Sequence, residues 1–174
     1  CIRLLRRKRR GRKLMASKHL SDRENWQHDA SITGKQGEVT FAAALRETLP
    51  QHYEVVEKPT KLMVFADNKG IMLDTKITNN QTGKSLYIEK KTGNNGGNAH
   101  ERVYKMAVPA LQEAVAQKYN TVDKPFFMVF SGKTFQRLKY QNEFEVMLSN
   151  DNYAIMEPGF ANIKAVVKQI MDIV

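Results

Sequence analysis

The chain has 174 residues, 41% hydrophobic and 26% charged, the composition of one soluble globular domain rather than of a disordered or fibrous protein. No apolar run approaches the roughly 20 residues needed to span a bilayer, and the single cysteine, Cys1, excludes both a disulfide scaffold and a cysteine-ligated zinc site. The net charge is +10, but Arg3, Arg6, Arg7, Lys8, Arg9, Arg10, Arg12 and Lys13 lie within the first 14 residues with no acid among them, which leaves +2 for residues 15–174.

That basic tail, residues 1–14, has two readings. One is a nucleic-acid-binding arm held by phosphate contacts. The other, which we prefer, is a segment outside the native protein: Cys1 is not a translation start, whereas Met15 opens an ordinary one. Either way the tail is expected to be disordered without DNA, and residues 15–174 are expected to form one domain.

Along that body, apolar positions Val39, Ala42, Ala43, Leu45 and Leu49 recur at helical spacing ahead of Pro50, predicting a helix over 35–48. Strands are expected at 53–57, 70–78 and 85–91, the last two joined as a hairpin by the turn residues 79–83. A Gly/Asn loop over 92–97 precedes an apolar stripe from His100 to Lys118, which Pro109 should kink or divide. Residues 125–130 read as a strand buried on both faces, two more strands are expected near 143–148 and 152–157, and a final helix over 160–173. The order implies an α/β domain with a mixed sheet flanked by helices.

Alternation along the 85–91 strand places Tyr87, Glu89 and Lys91 on one face and Leu86, Ile88 and Lys90 on the other. Antiparallel pairing can bring Asp74, on the preceding hairpin strand, beside Glu89. Two carboxylates and an ammonium at one point are suited to holding Mg²⁺ (or Mn²⁺) against a phosphodiester. Taken alone the pattern is weak, because exposed hairpins carry Glu/Lys pairs for solubility. Glu38, at the start of the first helix, is a candidate third acid, although a carboxylate complementing the helix dipole is the simpler reading.

The segment after the strand is more specific. Asn98 has the donor and acceptor needed for a bidentate bond to adenine, Ala99 an apolar methyl for thymine, and Arg102 the fork that fits guanine or a phosphate. The glycines, Gly97 among them, allow close backbone approach to a ligand. His100 reads as a surface histidine at a helix start. Glu101 and Lys105 are spaced to pair on a helix surface or to orient Arg102. Tyr87, Tyr104 and Trp26 read as packing or interface residues, and the scattered methionines imply no cofactor site.

The run Gly97-Asn98-Ala99-His100-Glu101-Arg102, followed by Lys105 and Pro109, resembles the recognition segment of the EcoRI/MunI family of type II restriction endonucleases. The hairpin from Gly70 to Asp74 and from Glu89 to Lys91 resembles that family's PD-(D/E)xK motif. The resemblance implies a restriction-endonuclease-like core, acting as a homodimer on palindromic double-stranded DNA with an AATT centre. Asp74 and Glu89 would bind Mg²⁺, Lys91 would stabilise the attacked phosphate or orient the attacking water, and Gly97, Asn98, Ala99, Arg102 and Lys105 would contact DNA. A DNA methyltransferase partner and a prokaryotic or phage-infected cytoplasm are implied as well, with no membrane association. Two residues depart from the pattern: Leu73 replaces the motif proline, and Gly96 stands where the MunI-like pattern has an arginine, so an outer base pair has no side chain to read it from there. A structure-specific or homing-type nuclease on the same core, and a catalytically silent DNA-binding module, are the alternatives.

Overall fold

The computed structural model describes residues 38–67, 69–94 and 98–174. The basic tail, Trp26, the start of the first predicted helix, and Gly96 and Gly97 lie outside them. Helix α1 covers residues 38–48, followed by β1 (Tyr53–Glu57), β2 (Thr75–Asn79) and β3 (Ser85–Thr92). A 3-10 helix (Ala99–Ala107), α2 (Pro109–Lys118), β4 (Thr121–Ser131), α3 (Leu138–Met147), β5 (Tyr153–Met156), a short 3-10 turn (Pro158–Phe160) and α4 (Ile163–Ile173) complete the order; below, the 3-10 helix is the one over Ala99–Ala107.

The five strands form one mixed sheet in sequential order. β1, β2 and β3 pair antiparallel, whereas β3, β4 and β5 run parallel. The parallel crossovers are helical, as parallel neighbours require. β3 and β4 lie in the middle and are covered on both faces. Leu86, Ile88, Phe127 and Val129 pack with Phe41 and Leu45 of α1 and with Val166, Val167 and Ile170 of α4. Tyr87, Phe126, Met128 and Phe130 face Val103 and Met106 of the 3-10 helix, Val115 of α2 and Phe144 of α3. Pro125 falls where the β3–β4 register slips, between the pairs Ser85–Thr121 and Tyr87–Phe126, so its missing N–H removes no bond from a regular ladder.

The β2–β3 turn forms as its residues predict. Gly83 donates its N–H to the Asn79 carbonyl at 2.8 Å and takes φ +71°, a left-handed conformation that glycine adopts without a Cβ clash. Pro109 divides the long apolar stripe, ending the 3-10 helix and opening α2 as its first residue, where its missing N–H costs nothing.

Three expectations are corrected. Regular pairing of the strand expected at 70–78 starts only at Thr75; the segment before it makes a single bridge, Ile71 with Leu62. The strand expected at 143–148 is the C-terminal part of helix α3. The alternation of Phe144, Val146 and Leu148 imitates a strand, but Phe144 and Leu148 are buried while Val146 is 83% exposed, so the buried stripe has the four-residue step of a helix. On α1, Phe41 packs in the core whereas Val39 is exposed.

Candidate active site and DNA-reading segment

Regular pairing ends at Thr75–Ile88, and Asp74 follows at a bend with its charge in reach of Glu89. The Asp74 N–H donates to the Ile88 carbonyl at 3.1 Å, and its carbonyl accepts from the Lys58 N–H at 2.8 Å. Its carboxylate Oδ2 accepts the Lys90 N–H at 2.7 Å. Among the described residues, Oδ1 accepts no hydrogen bond. Glu89 has the same division of labour: Oε1 accepts from Lys91 Nζ at 2.5 Å, while Oε2 is buried without a partner. Among the described residues each acid thus has one committed oxygen and one without a hydrogen-bond partner.

A buried carboxylate oxygen without a donor is costly unless a cation approaches it. Burial, and then the neighbouring Asp74 charge, push the Glu89 carboxyl above its ordinary range, and Lys91 and Lys105 pull it back. Glu38 is also raised, by burial and by Asp74, against Lys58, Lys91 and Lys90. Among the described residues no three His, Cys, Asp or Glu side chains converge as a metal cluster. The donor set is therefore a pair, Asp74 and Glu89, with Glu38 within electrostatic reach. One or two carboxylates completed by water and substrate phosphate are the usual complement of Mg²⁺, so the residues present fit that cation.

Two lysines here were not singled out in the sequence. Lys90 lies 7% exposed on the opposite face of β3 from Lys91, its Nζ donating to Thr92 Oγ1 at 3.1 Å. Burial lowers its pKa, and Glu38 and Asp74 oppose that shift. Lys58 holds φ +46°, tied by its N–H to the Asp74 carbonyl. Strain of this kind clusters at functional sites, but it carries no signature in a single sequence.

β3 leads into the 3-10 helix. Its three residues per turn stack side chains three apart. His100, Val103 and Met106 make the buried row, and Ala99, Arg102 and Lys105 make an exposed one. Three of the residues predicted to contact DNA thus line up on one edge, with the Lys105 charge reaching Glu89. Asn98, at the N-terminal end, makes no side-chain capping bond and is exposed. Among the described residues Glu101 and Lys105 form no ion pair.

His100 is corrected from a surface residue to a buried one, 3% exposed. Tyr87 is buried in the core, as expected for packing. Leu73, in place of the motif proline, is buried in the same apolar cluster. No helix of the described residues is long and apolar enough to cross a membrane.

A family model described as type II restriction enzyme MunI matches residues 63–155, which takes in the hairpin, the 3-10 helix, β4 and α3. Among solved structures, the MunI restriction endonuclease in complex with cognate DNA is similar, with a TM-score of 0.58 and 24% identity over 70% of this chain and 80% of that one. Comparison with curated protein sequences finds no match. The match of the family model over more than half of the sequence, on a mixed sheet with the same overall fold, makes this chain a member of the MunI family of type II restriction enzymes.

Proposed function

We propose that the chain is a Mg²⁺-dependent endonuclease that cuts double-stranded DNA at a palindromic site with an AATT centre, working as a homodimer. The observation that carries this reading is the pair of oxygens without a hydrogen-bond partner among the described residues, Asp74 Oδ1 and Glu89 Oε2, with the Lys91 ammonium on Glu89 and the charge of Lys105, from the exposed Ala99–Arg102–Lys105 row, reaching it.

Asp74 and Glu89 would hold the cation, with Glu38 a further acid near it. Mn²⁺ suits the same oxygens. When bound, such a cation supplies charge neutralisation at the phosphate and a lowered pKa for water. Lys91 has three N–H donors and gives one to Glu89. The others are available to the attacked phosphate or to the attacking water. The oxygen of water forms the new bond to phosphorus, the P–O3′ bond breaks, and the ends carry 5′-phosphate and 3′-hydroxyl. Asn98 would bond adenine, Ala99 would touch a thymine methyl, and Arg102 would reach a base edge or phosphate. Lys105 would meet the backbone, and Gly97 would allow its close approach. Two-fold symmetry of a dimer matches the symmetry of a palindrome. A methyltransferase of the same specificity would protect host DNA in a prokaryotic or phage-infected cytoplasm.

The test is digestion of a long duplex of known sequence with and without Mg²⁺, followed by sequencing of every fragment end. A discrete ladder with AATT at each break is expected. A smear, or cleavage confined to branched DNA, would overturn the site-specific reading in favour of a structure-specific nuclease.

A further inference from the structure

The 3-10 helix runs for nine residues, although such helices rarely exceed three or four because their hydrogen bonds are poorly aligned. No side-chain cap closes its N-terminus. Something outside it must hold its shape: Gln112 of α2 donates to the Met106 carbonyl at 2.9 Å near its C-terminal end, and the side chains of His100 and Tyr104 converge on one carboxylate. Glu143 of α3 accepts with Oε1 from the Tyr104 hydroxyl at 2.6 Å and lies 3.2 Å from His100 Nε2. A carboxylate only accepts, so the imidazole proton sits on Nε2, and the buried Nδ1 is left without a partner. That unsatisfied nitrogen is a cost the fold bears to keep the imidazole on Glu143. The His100 ring is enclosed edge-on by Tyr104, Phe135, Tyr140 and Phe144 at centroid distances of 5.0–6.0 Å. Phe135 also closes the start of the segment: a Cβ on Gly93 would lie 2.8 Å from its ring.

We infer that Glu143 is a positioning residue for sequence recognition: it fixes the rotation of the 3-10 helix, and with it the edge carrying Ala99, Arg102 and Lys105, through His100 and Tyr104. It touches neither the scissile phosphate nor a base. The inference rests on the reading of Asn98 and Arg102 as base contacts. Losing the double anchor lets the row swing, and misplacement of about 1 Å is enough to degrade catalytic geometry on the order of 10²-fold. The first property affected is discrimination between sites.

The experiment compares fragment-end sequences from one long duplex of known sequence, cut by the whole chain with Mg²⁺ and by its variants, each checked for cooperative unfolding. Glu143→Ala should raise cutting at single-base variants of the site, relative to the site itself, on the order of tenfold. Glu143→Gln, which still accepts from the Tyr104 hydroxyl, should restore the native distribution. A folded Glu143→Ala with an unchanged distribution overturns the inference, and so does a Gln variant that behaves like Ala. Where Glu143→Ala does not fold, Tyr104→Phe, which removes one anchoring bond, decides between the same two outcomes. Asn98→Ala and Arg102→Ala in the same assay separate the two levels. If they change the ends and Glu143→Ala does not, the positioning role alone fails. If they leave the ends unchanged, the reading of the segment itself fails.

Discussion

The β2–β3 hairpin and the 3-10 helix adjoin each other, yet they are specified by opposite means. In the hairpin, a five-residue turn and regular pairing up to Thr75–Ile88 bring Asp74 within reach of Glu89, and the backbone of Lys90 orients the Asp74 carboxylate. Most of what is needed lies within residues 74–91, with Lys58 and Glu38 joining from just upstream. In the 3-10 helix the local backbone is weak, and its anchor, Glu143, is 43 residues beyond His100. The difference teaches that, on the proposed reading, the two regions can fail separately: the hairpin through its neighbours, the 3-10 helix through a distant one.

The sharpest break falls on the hairpin. Glu89→Ala removes the free oxygen and the Lys91 partner together, and should lower cleavage by about 10³-fold or more while DNA binding at the site survives. Retained cleavage in a gel assay would sink the assignment of Glu89. The counterpart on the reading side is Phe144→Ala. Phe144 is fully buried and stacks on Phe130 at 3.9 Å between centroids. Its truncation should cost about 3–5 kcal/mol of stability in denaturant unfolding, and a change under about 1 kcal/mol would contradict the packing described.

A divalent cation should separate the halves without any cleavage. At about 100 times its dissociation constant, it should stabilise the chain by roughly 2.7 kcal/mol, and Asp74→Asn should abolish that gain. Because burial holds Glu89 above its ordinary value of 4.5, and a ligating carboxylate must be ionised, the gain should fade as pH falls through that raised value. That is a higher pH than an exposed glutamate would give. A gain independent of pH between about 4 and 8 would contradict this. The smallest effect belongs to the reading edge: Arg102→Ala should lose about 1–3 kcal/mol of discrimination at the bases it reads, measured as relative cleavage of matched and single-base variant duplexes, with stability unchanged.

The same contrast explains what the sequence shows and what it hides. Strand β1, the turn at Gly83, the faces of β3 and the break at Pro109 arise from local periodicity and backbone chemistry. So does the placement of Asp74 against Glu89. Helix α3 is hidden because Phe144, Val146 and Leu148 alternate like a strand, and that alternation conceals Glu143 with it. The burial of His100 is equally illegible, since a helix start followed by charged Glu101 and Arg102 looks like a surface until the aromatic cluster of α3 closes over it. Lys58 is invisible for another reason: its φ of +46° is set by Asp74, in a part of the chain to which no local pattern links it.

The three-residue period of the 3-10 helix has an evolutionary corollary. The positions that rest on the protein, His100, Val103 and Met106, and those that face outward, Ala99, Arg102 and Lys105, share no member. On the proposed reading, a mutation at an outward position can therefore alter a sequence preference without disturbing the seat beneath it. A one-residue insertion between His100 and Lys105, by contrast, turns the rest of the helix by a third of a revolution, which carries the outward residues that follow it onto the buried row and takes the buried ones off it. Within this family, new specificities should arise by replacement along that edge far more readily than by changes of its length.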